Sequence, residues 1–174
     1  MIGAKGLKGS SWPDLDMLPF GWLTDADTNG GPHRYSKLNL EEKRTYMTLW
    51  ALAKSPLMYG GDMRKIDPAT YEIITNPTVP EINFFNSNNI EACEPSNFFW
   101  GFPYVDSDGI RSWIATGRKG EVYLAFFNLN EQKTPVYAKT SDLAKVFPGI
   151  HISSCQGKEV WSGSVERTSQ QRKE

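Results

Sequence analysis

Residues 11–23, Ser-Trp-Pro-Asp-Leu-Asp-Met-Leu-Pro-Phe-Gly-Trp-Leu, set two carboxylates and a methionine on a short apolar run that opens on Trp12-Pro13 and closes on Phe20-Gly21. The run reads as the end of a strand delivering polar groups into a pocket. On an extended strand Asp14 and Asp16 would share a face, with Cα atoms roughly 6.8 Å apart at about 3.4 Å per residue. Paired carboxylates serve glycosidic bond cleavage, about 5 Å apart for retention of configuration and wider for inversion. The competing reading is local: Asp14 follows a proline in a turn and Asp16 bonds a neighbouring loop.

The chain has 174 residues, 39% hydrophobic and 13% aromatic, which suits a globular protein with one core of ordinary size. Lys plus Arg number 19 against 20 Asp plus Glu, and no basic stripe runs along the sequence, so nucleic acid is not an expected partner. No stretch approaches the roughly 18 apolar residues that a membrane span needs. Met1 to Ser11 interleaves its few apolar residues with glycine and lysine, so it does not read as a signal peptide. Cys93 and Cys155 lack a zinc spacing and make one disulfide or none.

Along the chain, an Asp-, Asn-, Gly- and Pro-rich loop at 25–36 leads to Asn39, which can cap a helix that Glu42 completes as a capping box. Residues 40–54 are the best helix candidate, with apolar Leu40, Met47, Leu49, Trp50, Leu52 and Ala53 at the spacings of a partly buried helix and Ser55-Pro56 as its stop. Pro56 to Tyr59 reads as a short buried strand ending in Gly60-Gly61-Asp62. Asp67-Pro68 then opens a second helix, which ends by Asn76-Pro77.

From residue 83 the texture changes. Asn86, Ser87, Asn88, Asn89 and Pro95 mark a polar linker, and β-type segments follow. Ile110 to Thr116 and Glu121 to Leu129 read as strands joined by a hairpin turn at Gly117 to Gly120, with shorter candidates at Val136 to Lys139 and Val160 to Ser162. The last dozen residues read as a solvated tail.

A Ser-His-Asp triad is not expected, since the histidines number 2 and His33 lies in a Gly-Gly-Pro-His-Arg loop without a serine elbow. Gly60-Gly61 reads as a tight turn rather than a phosphate loop, because no Gly-Lys pattern accompanies it. Asp14 and Asp16 alone supply too few oxygens for a hard cation, so no metal site is expected. Phe98, Phe99, Trp100, Phe102 and Tyr104 crowd one stretch, where they either stack on sugar rings or pack against the β-half.

Five blocks, Trp12-Pro13-Asp14-Leu15-Asp16-Met17-Leu18, Leu38-Asn39-Leu40-Glu41-Glu42, Met47-Thr48-Leu49-Trp50-Ala51, Ser55-Pro56-Leu57-Met58 and Asp62-Met63-Arg64-Lys65-Ile66, together resemble the C-terminal part of a glycoside hydrolase family 27 α-galactosidase of the plant melibiase-like kind. The resemblance implies a (β/α)8 barrel followed by an antiparallel β-sandwich, and retaining hydrolysis of terminal α-galactosides by an aspartate nucleophile and an aspartate acid/base. It places residues 15–19 as the seventh barrel strand and 56–60 as the eighth. Met17 then lines the galactose pocket, and Asp14 and Asp16 support its wall.

The resemblance moves Asp14 and Asp16 from catalysis to substrate binding, since neither matches the family's catalytic pair, which lies on earlier strands. The expected fold is therefore α/β plus all-β: the last two β/α units of a TIM barrel at residues 1–85, a linker at 86–105, a partial antiparallel β-sandwich at 106–163 and a disordered tail at 164–174. A barrel of this class takes about 250 residues, so the chain is expected to be a fragment that is inactive alone. No catalytic residue, metal or cofactor is assigned. The implied partner is an α-galactoside, and the family pattern implies secretion, the cell wall or the vacuole. The alternative is a non-catalytic carbohydrate-binding or interaction module built on the β-half.

Overall fold

The computed structural model describes residues 12–23, 33–91, 109–136 and 154–169. The chain divides into two compact units, Met1–Glu91 with Ser112–Phe127, and Ala92–Arg111 with Asn128–Glu174.

In the first unit, helix α1 spans Leu40–Ala53 and starts as its sequence dictates. Asn39 Oδ1 accepts from the Glu42 N–H at 2.9 Å while Glu42 Oε2 accepts from the Asn39 N–H at 2.7 Å, a reciprocal capping box. The helix ends where Lys54 turns left-handed, with φ 56°. Helix α2, Pro68–Ile74, carries Asp67 as its cap and proline in its first turn, also as expected. A third helix, α3 at Thr78–Phe85, was not legible in the sequence. Asn76-Pro77 reads as a stop, yet Asn76 Oδ1 accepts from the Thr78 and Val79 N–H groups at 2.9 and 3.2 Å and restarts the helix. Pro80 is tolerated there because a first turn has no intrahelical use for its missing N–H.

The segments expected as adjacent parallel strands meet at one parallel bridge, Leu18 to Tyr59, with Leu18 N–H donating to the Met58 carbonyl at 2.7 Å and Gly60 N–H to the Leu18 carbonyl at 2.9 Å. The pairing is short for local reasons. Asp16 sits at φ 71°, outside the extended region, and Pro19 has no N–H to donate. Strand β1, Trp22–Leu23, then pairs antiparallel with β2, Arg34–Tyr35, within the span read as a loop.

Strands β3 (Ser87–Glu91), β4 (Ile110–Thr116) and β5 (Val122–Asn128) lie side by side in that order, β3 and β4 antiparallel with a bulge between Ser87 and Ile90. The expected strands at 110–116 and 121–129 are present. The linker boundary is corrected: residues 87–91 are a strand, and the stretch 92–105, with the aromatic cluster at 98–104, lies outside the described residues.

Two further corrections concern the C-terminal part. Residues 160–162 form the turn of a hairpin whose strands are β6, Ser154–Lys158, and β7, Val165–Ser169. Glu159 draws that turn closed by accepting from the Trp161 and Ser162 N–H groups. The expected tail therefore begins with a strand, and only 170–174 falls outside the described residues. Of the candidate strand at 136–139 only Val136 is described, and it is not in a strand. Cys93, His151 and the Cys155 side chain lie outside the described residues, and the disulfide question with them. Among the described residues the sheets have two, three and two strands, and none closes into a barrel.

Candidate functional site

The sequence-selected trio, Asp14, Asp16 and Met17, comes together in one exposed turn, although not on a strand face. Asp14 Oδ1 accepts from the Asp16 N–H at 2.9 Å and Asp16 Oδ1 from the Met17 N–H at 2.7 Å, so each carboxylate folds back on the chain. The alternation that would aim both aspartates one way does not apply to this turn. What takes its place is anchoring from α1 and the residue just past its cap: Leu15 N–H donates to Ser55 Oγ at 2.9 Å, and Trp50 Nε1 donates to the Asp16 carbonyl at 2.7 Å. Ser55 is fully buried and Trp50 stacks on Tyr46, with ring centroids 5.1 Å apart.

Met17 is half exposed and lies over Gly60. A Cβ at position 60 would come 2.7 Å from its Sδ, so the glycine is what lets the thioether settle against the neighbouring segment. Gly61 is packed as tightly, since a Cβ there would run into the Phe20 carbonyl oxygen and the Tyr59 hydroxyl. The Gly-Gly pair is therefore a point of close backbone approach, which a glycine pair after an apolar run can signal. Ser55 and Trp50, by contrast, gave no sign of their role, because their partners stand 40 and 34 residues away in the chain.

Beyond the bridge, Asp62 N–H donates to the Trp22 carbonyl at 2.8 Å, tying together the two segments that leave the parallel pair. The Asp62 carboxylate receives Arg64 Nε and Nη2 at 2.9 and 2.7 Å and the Arg64 backbone N–H at 2.9 Å. Those bonds hold its pKa down from the ordinary 3.8 to about 2, the side-chain bond from Arg64 first. The Tyr59 hydroxyl, buried without a hydrogen-bond partner among the described residues, is shifted upward by burial and then by the Asp67 and Asp62 charges. Among the described residues no group of three or more His, Cys, Asp or Glu is arranged to hold a metal, and no helix is long and apolar enough to cross a membrane.

Acid sensitivity follows from the Asp62 shift. A carboxylate with a depressed folded pKa stabilises the fold above its ordinary value, and the contribution is lost as pH falls from about 4 towards 2. Asp62→Asn should melt below the parent at neutral pH, with the gap in Tm closing between about pH 4 and pH 2. A gap that stays constant across that window would contradict the assignment.

No family model matches the chain. It is similar to the α-galactosidase of Cyamopsis tetragonoloba, 40% identical over 155 residues that cover 89% of this chain and 31% of that protein. The α-galactosidase of Coffea arabica is 38% identical over 157 residues, covering 88% of this chain and 33% of its own length. Among solved structures, a Bacillus halodurans protein proposed to be an α-N-acetylgalactosaminidase superposes with a TM-score of 0.73 at 31% identity, over 90% of this chain and 34% of its own. A GH27 β-L-arabinopyranosidase of Geobacillus stearothermophilus shares the fold, with a TM-score of 0.70 at 24% identity over 91% of this chain and 34% of its own. The chain spans about a third of the length of these relatives.

Proposed function

Because the chain corresponds to the C-terminal part of the glycoside hydrolase family 27 α-galactosidases, we propose that it supplies one wall of an α-galactoside pocket and not the groups that break the bond. In this reading residues 12–85 are the last two β/α units of the barrel, and the β-strands of 109–169 belong to the sandwich that follows it. The observation that carries the reading is the turn at 14–17, pinned to Trp50 of α1 and to Ser55 just past its end, and set beside the Leu18 to Tyr59 bridge with Met17 over Gly60.

The chemistry of the turn suits binding. Each aspartate spends one carboxylate oxygen on a backbone N–H, and an ionised carboxylate accepts only, so the second oxygen is available to sugar hydroxyls. The Met17 thioether offers a polarizable apolar surface to the C–H face of the ring. Fold alone does not choose the sugar, since the structural neighbours are described as acting on different sugars. The 40% identity to a plant α-galactosidase favours galactose.

Retaining hydrolysis needs a nucleophile and an acid/base about 5–5.5 Å apart across the glycosidic bond. Carboxylates folded onto their own turn are held for support, so both catalytic aspartates are assigned to earlier strands of the family fold. The purified 174-residue chain should release no nitrophenol from p-nitrophenyl α-galactoside above buffer. Turnover above that baseline would overturn the assignment. For the pocket wall, residues 12–91 can replace the matching segment of the Cyamopsis enzyme. Met17→Ala in that chimera should raise KM about tenfold with a smaller change in kcat.

A further inference from the structure

The β1–β2 hairpin carries a group of side chains that the pocket wall does not use. Trp22 faces Tyr35 across the hairpin, with ring centroids 4.8 Å apart at 71°, and His33 lies 6.3 Å from the same indole at 62°. Lys65 Nζ stands 4.4 Å from the Trp22 ring centroid and covers one of its faces. Tyr35 is left as the open ring, 60% exposed.

The group sits where a ligand would be met. Trp22 follows the Leu18 segment and Lys65 follows the Tyr59 segment, so both lie beyond the C-terminal ends of the parallel pair, the end at which α/β folds bind their ligands. Ser36 N–H donates to the Gly21 carbonyl at 2.7 Å, which holds β2 against the chain four residues beyond Met17.

We propose that Tyr35, braced by Trp22, is the stacking platform for the second ring of the substrate, the neutral saccharide to which galactose is α-linked. This assignment rests on the pocket reading above and extends it to the leaving group. Aromatic rings take the C–H face of a sugar, and the His33 ring and the Tyr35 hydroxyl, which make no hydrogen bond among the described residues, stand at the rim to meet its hydroxyls. The cations nearby are already engaged: Arg64 by Asp62, Lys65 by the Trp22 ring and Arg34 by a partner of its own. That favours an uncharged ring over an anion.

Saturation-transfer NMR on the full chain with melibiose, galactose α-linked to glucose, tests the platform. Both rings should take up saturation from the parent chain and from Tyr35→Phe. In Tyr35→Ala the glucose-ring signals should fall about fivefold or more while the galactose-ring signals persist. In the unaltered chain, melibiose should also shift the Tyr35 ring resonances, whereas galactose alone should not; that measurement stands even if Tyr35→Ala fails to fold. Unchanged glucose-ring signals in Tyr35→Ala, or no Tyr35 shift with melibiose, overturn the platform and leave the pocket reading intact. Saturation of neither ring in the parent chain overturns both.

Discussion

Phe20→Ala is expected to destabilise the chain by about 3–5 kcal/mol, a large part of the 5–15 kcal/mol that holds an ordinary domain folded. Phe20 has no exposed surface, meets Tyr46 edge-on with centroids 6.3 Å apart, and presents its carbonyl to the tightly packed Gly61. Truncation would leave a cavity between the Leu18 bridge and α1 that the two glycine contacts are too close to absorb by shifting. Urea unfolding followed by tryptophan fluorescence measures the loss. Phe84→Ala, at a side chain 74% exposed, is the control and should stay within about 0.5 kcal/mol. A loss of under about 1 kcal/mol for Phe20→Ala would remove this residue from the centre of the core.

The second large effect concerns three asparagines that close the end of α1. The carbonyls of a helix's last turn have no intrahelical donors. Here Asn83 Nδ2 donates to the Trp50 and Ser55 carbonyls at 3.2 and 2.9 Å, Asn86 Nδ2 to Ala51 at 2.8 Å, and Asn89 Nδ2 to Leu52. Lys54 Nζ reaches back to the Phe84 and Asn86 carbonyls, both at 3.0 Å, and burial lowers its pKa. Asn86 and Asn89 are buried, so removing the Asn89 amide leaves the Leu52 carbonyl without a donor among the described residues, and removing the Asn86 amide leaves the Ala51 carbonyl only the longer 3.3 Å bond from the Lys54 N–H, at a cost of about 1–3 kcal/mol each. Asn86→Ala and Asn89→Ala should each lower Tm, and faster amide exchange should be confined to the C-terminal turn of α1 and its neighbours. Surface-like behaviour of both variants would mean the amides are replaceable by solvent. The same turn holds Trp50 and leads to Ser55, so a loosened end of α1 should also loosen the turn at 14–17.

These asparagines mark where reading along the chain stopped working. Asn86, Ser87, Asn88 and Asn89 have the composition of a linker, and polarity is the usual sign of one. The Asn86 and Asn89 amides are instead buried donors whose acceptors lie 35 and 37 residues earlier. The error at Val160 to Ser162 is similar in kind: β-type residues sit in a turn because Glu159 draws the backbone closed. The α1 and α2 starts and the β4–β5 pair were legible because their causes are local: a capping box three residues wide, a proline after its cap, and alternation that ends in a glycine turn.

The candidate site divides along the same line. Short-range chemistry in the sequence determined which residues cluster, since Asp14, Asp16 and Met17 are neighbours whose carboxylates bond the next backbone N–H groups wherever the segment lies. The five ordered blocks determined the family. Only the tertiary structure decided how the turn is held and what it faces, because Ser55, Trp50 and Gly60 reach it across 34 to 43 residues of chain. Such contacts form only once the hydrophobic packing of Leu18, Phe20 and α1 has offset the entropy of bringing those segments together, and that balance belongs to the whole fold rather than to any one stretch of it.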